Sequence, residues 1–147
     1  MEIVSLKAWV SEDDLNGVAA RSLDGEESVR DLKLRVLPEG VRVSGAYRVA
    51  FFNVRFDTLW SLSLQGGEVA ARLADLNVAG APAGMVRGTL LEMLAANLAR
   101  DEGARVEGES IVVNPDALLA RFGIAARTNL RAVRCEAGRI VIEAGAP

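Results

Sequence analysis

Val41-Arg42-Val43-Ser44-Gly45-Ala46-Tyr47-Arg48-Val49-Ala50-Phe51 decides the fold class. Val41, Val43, Tyr47, Val49 and Phe51 share one parity, while Arg42, Ser44 and Arg48 occupy the other. That is the two-residue period of a strand with one buried and one solvated face. After Phe51 the parity switches, because Val54, Phe56, Trp60, Leu62 and Leu64 fall on even numbers; Phe52-Asn53 therefore reads as a turn, kink or bulge. Upstream, Leu32, Leu34 and Val36 alternate with Lys33 and Arg35 ahead of a Pro38-Glu39-Gly40 turn. Downstream, Gln65-Gly66-Gly67-Glu68 reads as a hairpin connection. Val69, Ala71 and Leu73 follow in phase, and Leu76 and Val78 are shifted by one, which places a second bulge near Ala74-Asp75. Val29 to Val78 is thus a run of long antiparallel strands.

Outside this block the pattern changes. Met1 to Val10 alternates as a half-buried strand with Trp9 facing away from Val4, Leu6, Ala8 and Val10. Ser11-Glu12-Asp13-Asp14 then offers a capping hydroxyl and three carboxylates where free N–H groups favour negative charge. This short helix ends by Asp24-Gly25, before a polar loop over residues 25–28. Gly80 to Gly84 reads as a small-residue linker, and Met85 to Arg100 as the main helix. Its apolar residues Val86, Leu90, Leu91, Met93, Leu94 and Leu98 cover an arc wider than the ~100° stripe of a surface helix. A short strand over Ile111-Val112-Val113 leads into Asn114-Pro115-Asp116, an N-cap with proline at the first helical position, and Gly123 stops that helix. Two closing strands, about 128–135 and 139–143, are joined by Glu136-Ala137-Gly138. The ends resemble each other: strand, short capped helix and hairpin recur over residues 1–45 and 109–145, a pseudo-repeat or a coincidence of few identities.

Composition excludes several chemistries. The chain has 147 residues, the size of one domain, and is 50% hydrophobic but only 5% aromatic. It contains no histidine, so Ser-His-Asp, Cys-His and histidine-ligated zinc arrangements cannot form within it. Cys135 is the only cysteine, which rules out an intrachain disulfide and reads as a core thiol. The net charge is −3, which argues against a general nucleic-acid binder. No basic-then-apolar leader or membrane-length apolar run is present. As written the chain reads as cytoplasmic, with an exported origin open if its start has been trimmed.

No motif singles out catalysis. Gly80, Gly84 and Gly88 match neither a P-loop nor a dinucleotide fingerprint. The acidic groups Glu12-Asp13-Asp14 and Asp24, Glu26, Glu27 lack calcium-loop spacing. No catalytic residue, metal or cofactor is expected. Arg121, Arg127, Arg131, Arg134 and Arg139 make the last third locally basic, and Arg127, Arg131 and Arg134 are candidates to hold an anionic headgroup. Phe51, Phe56 and Trp60, with Leu90, Met93, Leu94 and Leu98 of the main helix, are candidates to line an apolar groove or, alternatively, to fill the core.

The order of elements, with Val10-Ser11-Glu12-Asp13-Asp14-Leu15-Asn16, Val41-Arg42-Val43-Ser44-Gly45 and Gly138-Arg139-Ile140-Val141-Ile142, resembles small bacterial members of the tubular lipid-binding (TULIP) superfamily. The resemblance implies an α+β fold in which a long, strongly curved antiparallel sheet wraps around one long apolar helix, with two short capped helices. It also implies a groove for acyl chains. The expectation is therefore a single non-enzymatic domain binding a lipid or other long apolar ligand, with peripheral membrane contact and no nucleic acid. The alternative is an interaction or self-association domain, forming homo-oligomers, whose own side chains fill the groove.

Overall fold

The alternation around Val41 produces the centre of a sheet. In the computed structural model, which describes residues 4–22, 29–49, 52–79, 87–88, 91–92, 103–120 and 123–145, strands β2 (Val29–Leu37), β3 (Gly40–Val49), β4 (Phe52–Gln65) and β5 (Glu68–Val78) form successive antiparallel pairs. β3 and β4 pair antiparallel as far as Val49 with Phe52, so Phe52-Asn53, expected as a turn, kink or bulge, is instead the start of β4. The expected second bulge is present: Leu59 pairs with Asp75 and Trp60 with Leu73, leaving Ala74 as the extra residue. β7 (Ser110–Val113) adds to the outer half of β5, and β6 (Ala104–Glu107) adds to β7, giving the order β2-β3-β4-β5-β7-β6.

A second sheet joins the two ends of the chain. β1 (Ser5–Ser11) pairs with β9 (Arg139–Gly145), and β9 with β8 (Leu130–Glu136). Val36 and Val41 of the larger sheet meet Ile140 of the smaller one, with Val10, Leu15, Leu62, Val133, Cys135 and Ile142 around them. On the same face of the large sheet, Trp60, Leu73 and Leu76 form a second cluster with Val78, Ile111 and Leu91. Leu73 and Val36 are fully buried, and each side chain removed from water in this way contributes about 1.5–3 kcal/mol.

This arrangement corrects the expected architecture. The apolar face of the six-stranded sheet is buried around Val36 and Val41 against a second sheet, and among the described residues no long apolar helix runs inside it. The two helices whose ends are described are α1 (Glu12–Ser22) and α2 (Pro115–Ala120), of eleven and six residues. Of the expected helix 85–100, Arg87-Gly88 and Leu91-Glu92 are helical, and the rest, including Leu90, Met93, Leu94 and Leu98, lies outside the described residues. The physical reason is the pairing of β1 with β9, which withdraws the closing hairpin from the large sheet and turns Ile140 onto its apolar face.

Both helices start as their capping residues dictate. Ser11 Oγ accepts from Asp14 N at 3.1 Å, and Asp14 Oδ2 accepts from Ser11 N at 3.0 Å, a reciprocal cap. These hydrogen bonds hold the Asp14 carboxyl below its usual range. Asn114 Oδ1 accepts from Asp116 N and Ala117 N at the start of α2. α1 also covers the outer edge of β2. Asn16 donates through Nδ2 to Leu34 O at 3.0 Å and accepts Leu34 N through Oδ1 at 2.8 Å, as a neighbouring strand would. Glu12 Oε1 accepts Val36 N, and Gly138 N donates to Val36 O, both at 2.8 Å. An edge that could recruit another chain is thereby occupied over these residues.

Candidate functional site

The polar positions of the same alternation build the opposite face of the large sheet. Register places Arg35 opposite Arg42, Lys33 opposite Ser44, and Arg30 opposite Ala46, with Arg55 beyond Ala46 on β4. Arg48 lies two residues further along β3, opposite Asn53. Directly opposite residues of an antiparallel pair point to one side. Arg30, Lys33, Arg35, Arg42, Arg48 and Arg55 therefore share a face, and all but the half-buried Arg42 are exposed. Arg42 Nη1 donates to Asp57 Oδ2 at 2.7 Å. Among the described residues the other five make no ion pair.

Four other described arginines are held by carboxylates. Arg105 is held by Glu68 and Glu107, and Arg87 by Glu109 while it also donates to Leu73 O at 2.7 Å. These contacts hold the Glu68 and Glu109 carboxyls below their usual range. Arg134 joins Glu136 and Glu143, and Arg139 joins Glu136, whose carboxyl is likewise held down.

A polar row crosses the basic face: Lys33, Ser44, Asp57 and Asn77 are successive partners on β2 to β5. Beside it opens a cavity of about 370 Å³ that these residues line with Asp31, Gly45, Arg55 and Phe56. The cavity sits where β2 bulges. Arg30 pairs with Ala46 and Lys33 with Ser44, so Asp31 and Leu32 together oppose Gly45, and Asp31 adopts φ 56°. Gly45 keeps the packing here close: a Cβ there would lie 3.1 Å from Phe56 Cζ and 3.2 Å from Arg30 O. Asp57 Oδ1 is buried with no hydrogen-bond partner.

A second cavity, of about 310 Å³, lies between the β4–β5 turn and the start of α2. Its principal polar groups are engaged with one another. Asp116 Oδ1 accepts both Thr128 N at 2.9 Å and Thr128 Oγ1 at 2.7 Å, while Asn114 caps α2. It is a joint of the fold.

Of the residues proposed from sequence, Leu90, Met93, Leu94 and Leu98 lie outside the described residues, and those that are described sit in different parts of the fold. Trp60 is core: it is 8% exposed, and its Nε1 donates to Thr58 Oγ1 at 2.8 Å, whose hydroxyl donates to Val43 O. Phe56 is half-buried and lines the polar cavity. Phe51 lies outside the described residues. Of the arginines proposed for a headgroup, Arg134 is ion-paired on the small sheet, Arg131 sits at the β8 register shift, and Arg127 is exposed ahead of β8. Cys135 faces the inter-sheet core, where burial pushes its thiol up, away from reactivity. The basic face itself was missed as a site, although Arg42 and Arg48 opposite the apolar parity were its signal. No family model matches the chain, and no curated protein or solved structure matches it. Among the described residues no group of carboxylates or thiol could hold a metal, and no helix is long and apolar enough to cross a membrane.

Proposed function

We propose that this chain is a non-enzymatic binding domain that docks on an anionic lipid surface through the outer face of its six-stranded sheet. One observation carries the reading: six basic side chains of β2, β3 and β4 share that face, and of these only Arg42 is ion-paired among the described residues. Each lysine or arginine brought to an anionic leaflet contributes about 1 kcal/mol, and the attraction fades within a Debye length. The positions on this face at the paired rows are Arg, Lys, Ser, Asp, Asn, Ala and Leu59, with no aromatic ring to stack a base, which disfavours single-stranded nucleic acid. The resemblance to TULIP domains is the reason for choosing lipid among anionic surfaces. The test is co-sedimentation with phosphatidylcholine vesicles and with vesicles in which a third of the lipid is phosphatidylglycerol. Binding confined to the anionic vesicles and lost at high salt is expected; equal binding to both, or to neither, overturns the reading.

A second reading, self-association at β1, is favoured by the exposure of Leu6 (45%) and Trp9 (59%) on this edge strand and of Val4 (70%) just before it. Light scattering of the wild type and of Leu6→Lys separates the two. A dimer that the substitution dissolves, without vesicle binding, would replace the lipid-surface reading.

A further inference from the structure

The basic face is not a uniform field of charge, because the β2 bulge sinks a cavity of about 370 Å³ into it. That volume is at the lower end of small-molecule sites and suits a headgroup without its acyl chains. Lys33 and Arg55 line the cavity without an ion pair among the described residues, and Arg42 neutralises Asp57. Asp31 is the remaining carboxylate of the lining, so the cavity holds one positive charge in excess. A phosphodiester carries one negative charge at neutral pH, whereas a monoester carries nearly two.

The neutral groups narrow the choice further. Ser44 offers a hydroxyl on the Lys33–Asp57 row. Asn77 gives one amide hydrogen to Asp75 Oδ2 in a long contact of 3.4 Å and keeps another to donate. These donors suit phosphoryl oxygens. Asp31 can only accept when ionised, so it calls for a donor on the ligand. Its positive φ, rare outside glycine, is held by the bulge against Gly45.

We propose that this cavity binds a single phosphodiester bearing a free hydroxyl, with Lys33, Arg55, Ser44 and Asn77 toward the phosphate and Asp31 toward the hydroxyl. The ligand is either a glycerol-phosphate headgroup at a membrane or the free glycerophosphodiester, and the membrane form rests on the lipid-surface reading above.

The test pairs two diesters of equal charge in amide-resolved NMR titrations: glycerophosphoglycerol, which has hydroxyls, and dimethyl phosphate, which has none. Glycerophosphoglycerol should shift the amides of Lys33, Ser44 and Arg55 and bind at least tenfold more tightly than dimethyl phosphate. Asp31→Gly tolerates the positive φ and should erase that preference, while Arg55→Gln should weaken both ligands. Equal affinity for the two diesters, or shifts absent from these amides, overturns the proposal. Vesicles of phosphatidylglycerol and of phosphatidylmethanol then identify the source. A preference for phosphatidylglycerol that Asp31→Gly removes assigns the headgroup, and free-ester binding without such a preference assigns the soluble ester. Salt-sensitive vesicle binding without shifts in the cavity would overturn this site and leave the surface reading standing. Shifts without any vesicle binding would do the reverse.

Discussion

The two faces of β2, β3 and β4 come from one alternating sequence, yet they differ in what they leave available. On the inner face Val36, Val41 and Trp60 are buried, and even the indole N–H of Trp60 has an internal acceptor. On the outer face Lys33, Arg35, Arg48 and Arg55 are exposed and carry no ion pair among the described residues. The small sheet shows that exposure alone does not make a site. Its Arg134 and Arg139 are as exposed as those cations but are tied to Glu136 and Glu143, and Arg139 also lies over the Trp9 ring at 4.9 Å. What distinguishes the outer face of β2, β3 and β4 is that its cations outnumber its carboxylates. A face whose groups already satisfy one another contributes to stability, and one whose charges lack partners leaves them available.

Substitutions should separate these roles, beginning with the largest effect. Leu73 is fully buried, and Leu73→Ala should cost about 2–5 kcal/mol in urea unfolding through lost burial and the cavity left behind. A cost near zero would mean that this face is not a packed core. Lys33→Glu with Arg55→Glu should remove about 2–4 kcal/mol of affinity for anionic vesicles. The same pair should shift stability by no more than about 0.5 kcal/mol per site, the range of ordinary surface changes. A large loss of stability would place both side chains among the structural contacts.

Asn16→Ala tests a third kind of surface, the edge. It leaves Leu34 N–H and C=O without their side-chain partners, so a loss of about 1–3 kcal/mol is expected, with a rise in self-association measured by light scattering. An unchanged monomer of unchanged stability would show that the edge needs no cover. The smallest effect is that of acid. Glu68, Glu109, Glu136 and Asp14 have lowered carboxyl pKa values, the first three through arginine contacts and Asp14 through the Ser11 cap. Their contribution is present above the ordinary carboxyl range and is lost as pH falls through the lowered values. Because solvent reaches all four groups, thermal unfolding should show only a shallow decline below about pH 4.5, the usual glutamate value, and a still shallower one in salt.

Much of the large sheet was legible because its information is local. Residues 41–51 state the inner and outer faces, Gly66-Gly67 the hairpin, and the phase shift between Leu73 and Leu76 the bulge at Ala74. Ser11 and Asn114 mark the helix starts. The β1–β9 pairing was not legible, since nothing local states which distant strand completes a sheet; this is why the expected helix-centred fold had to give way. The β2 bulge was concealed because Leu32, Leu34 and Val36 keep one parity straight through it. Its trace is Val29, which has the opposite parity and yet shares the inner face with Leu34. The basic face was obscured for a related reason. Its cations come from three strands and gather only once the register is set, whereas the arginines of residues 121–139 are dense in sequence and partly neutralised in space.

The pairing of Ser5 with Gly145 has a consequence for the order of events in folding. β2 through β5 form neighbouring hairpins and can assemble as they leave the ribosome. The small sheet joins partners far apart in sequence, so most of the loop-closure entropy falls on this step. Until Gly138 arrives, Val36 lacks the donor for its outward carbonyl and one side of the inter-sheet core stays wet. A nascent chain halted before β8 should therefore remain sensitive to protease at β2, and release of the last strands should protect both ends together.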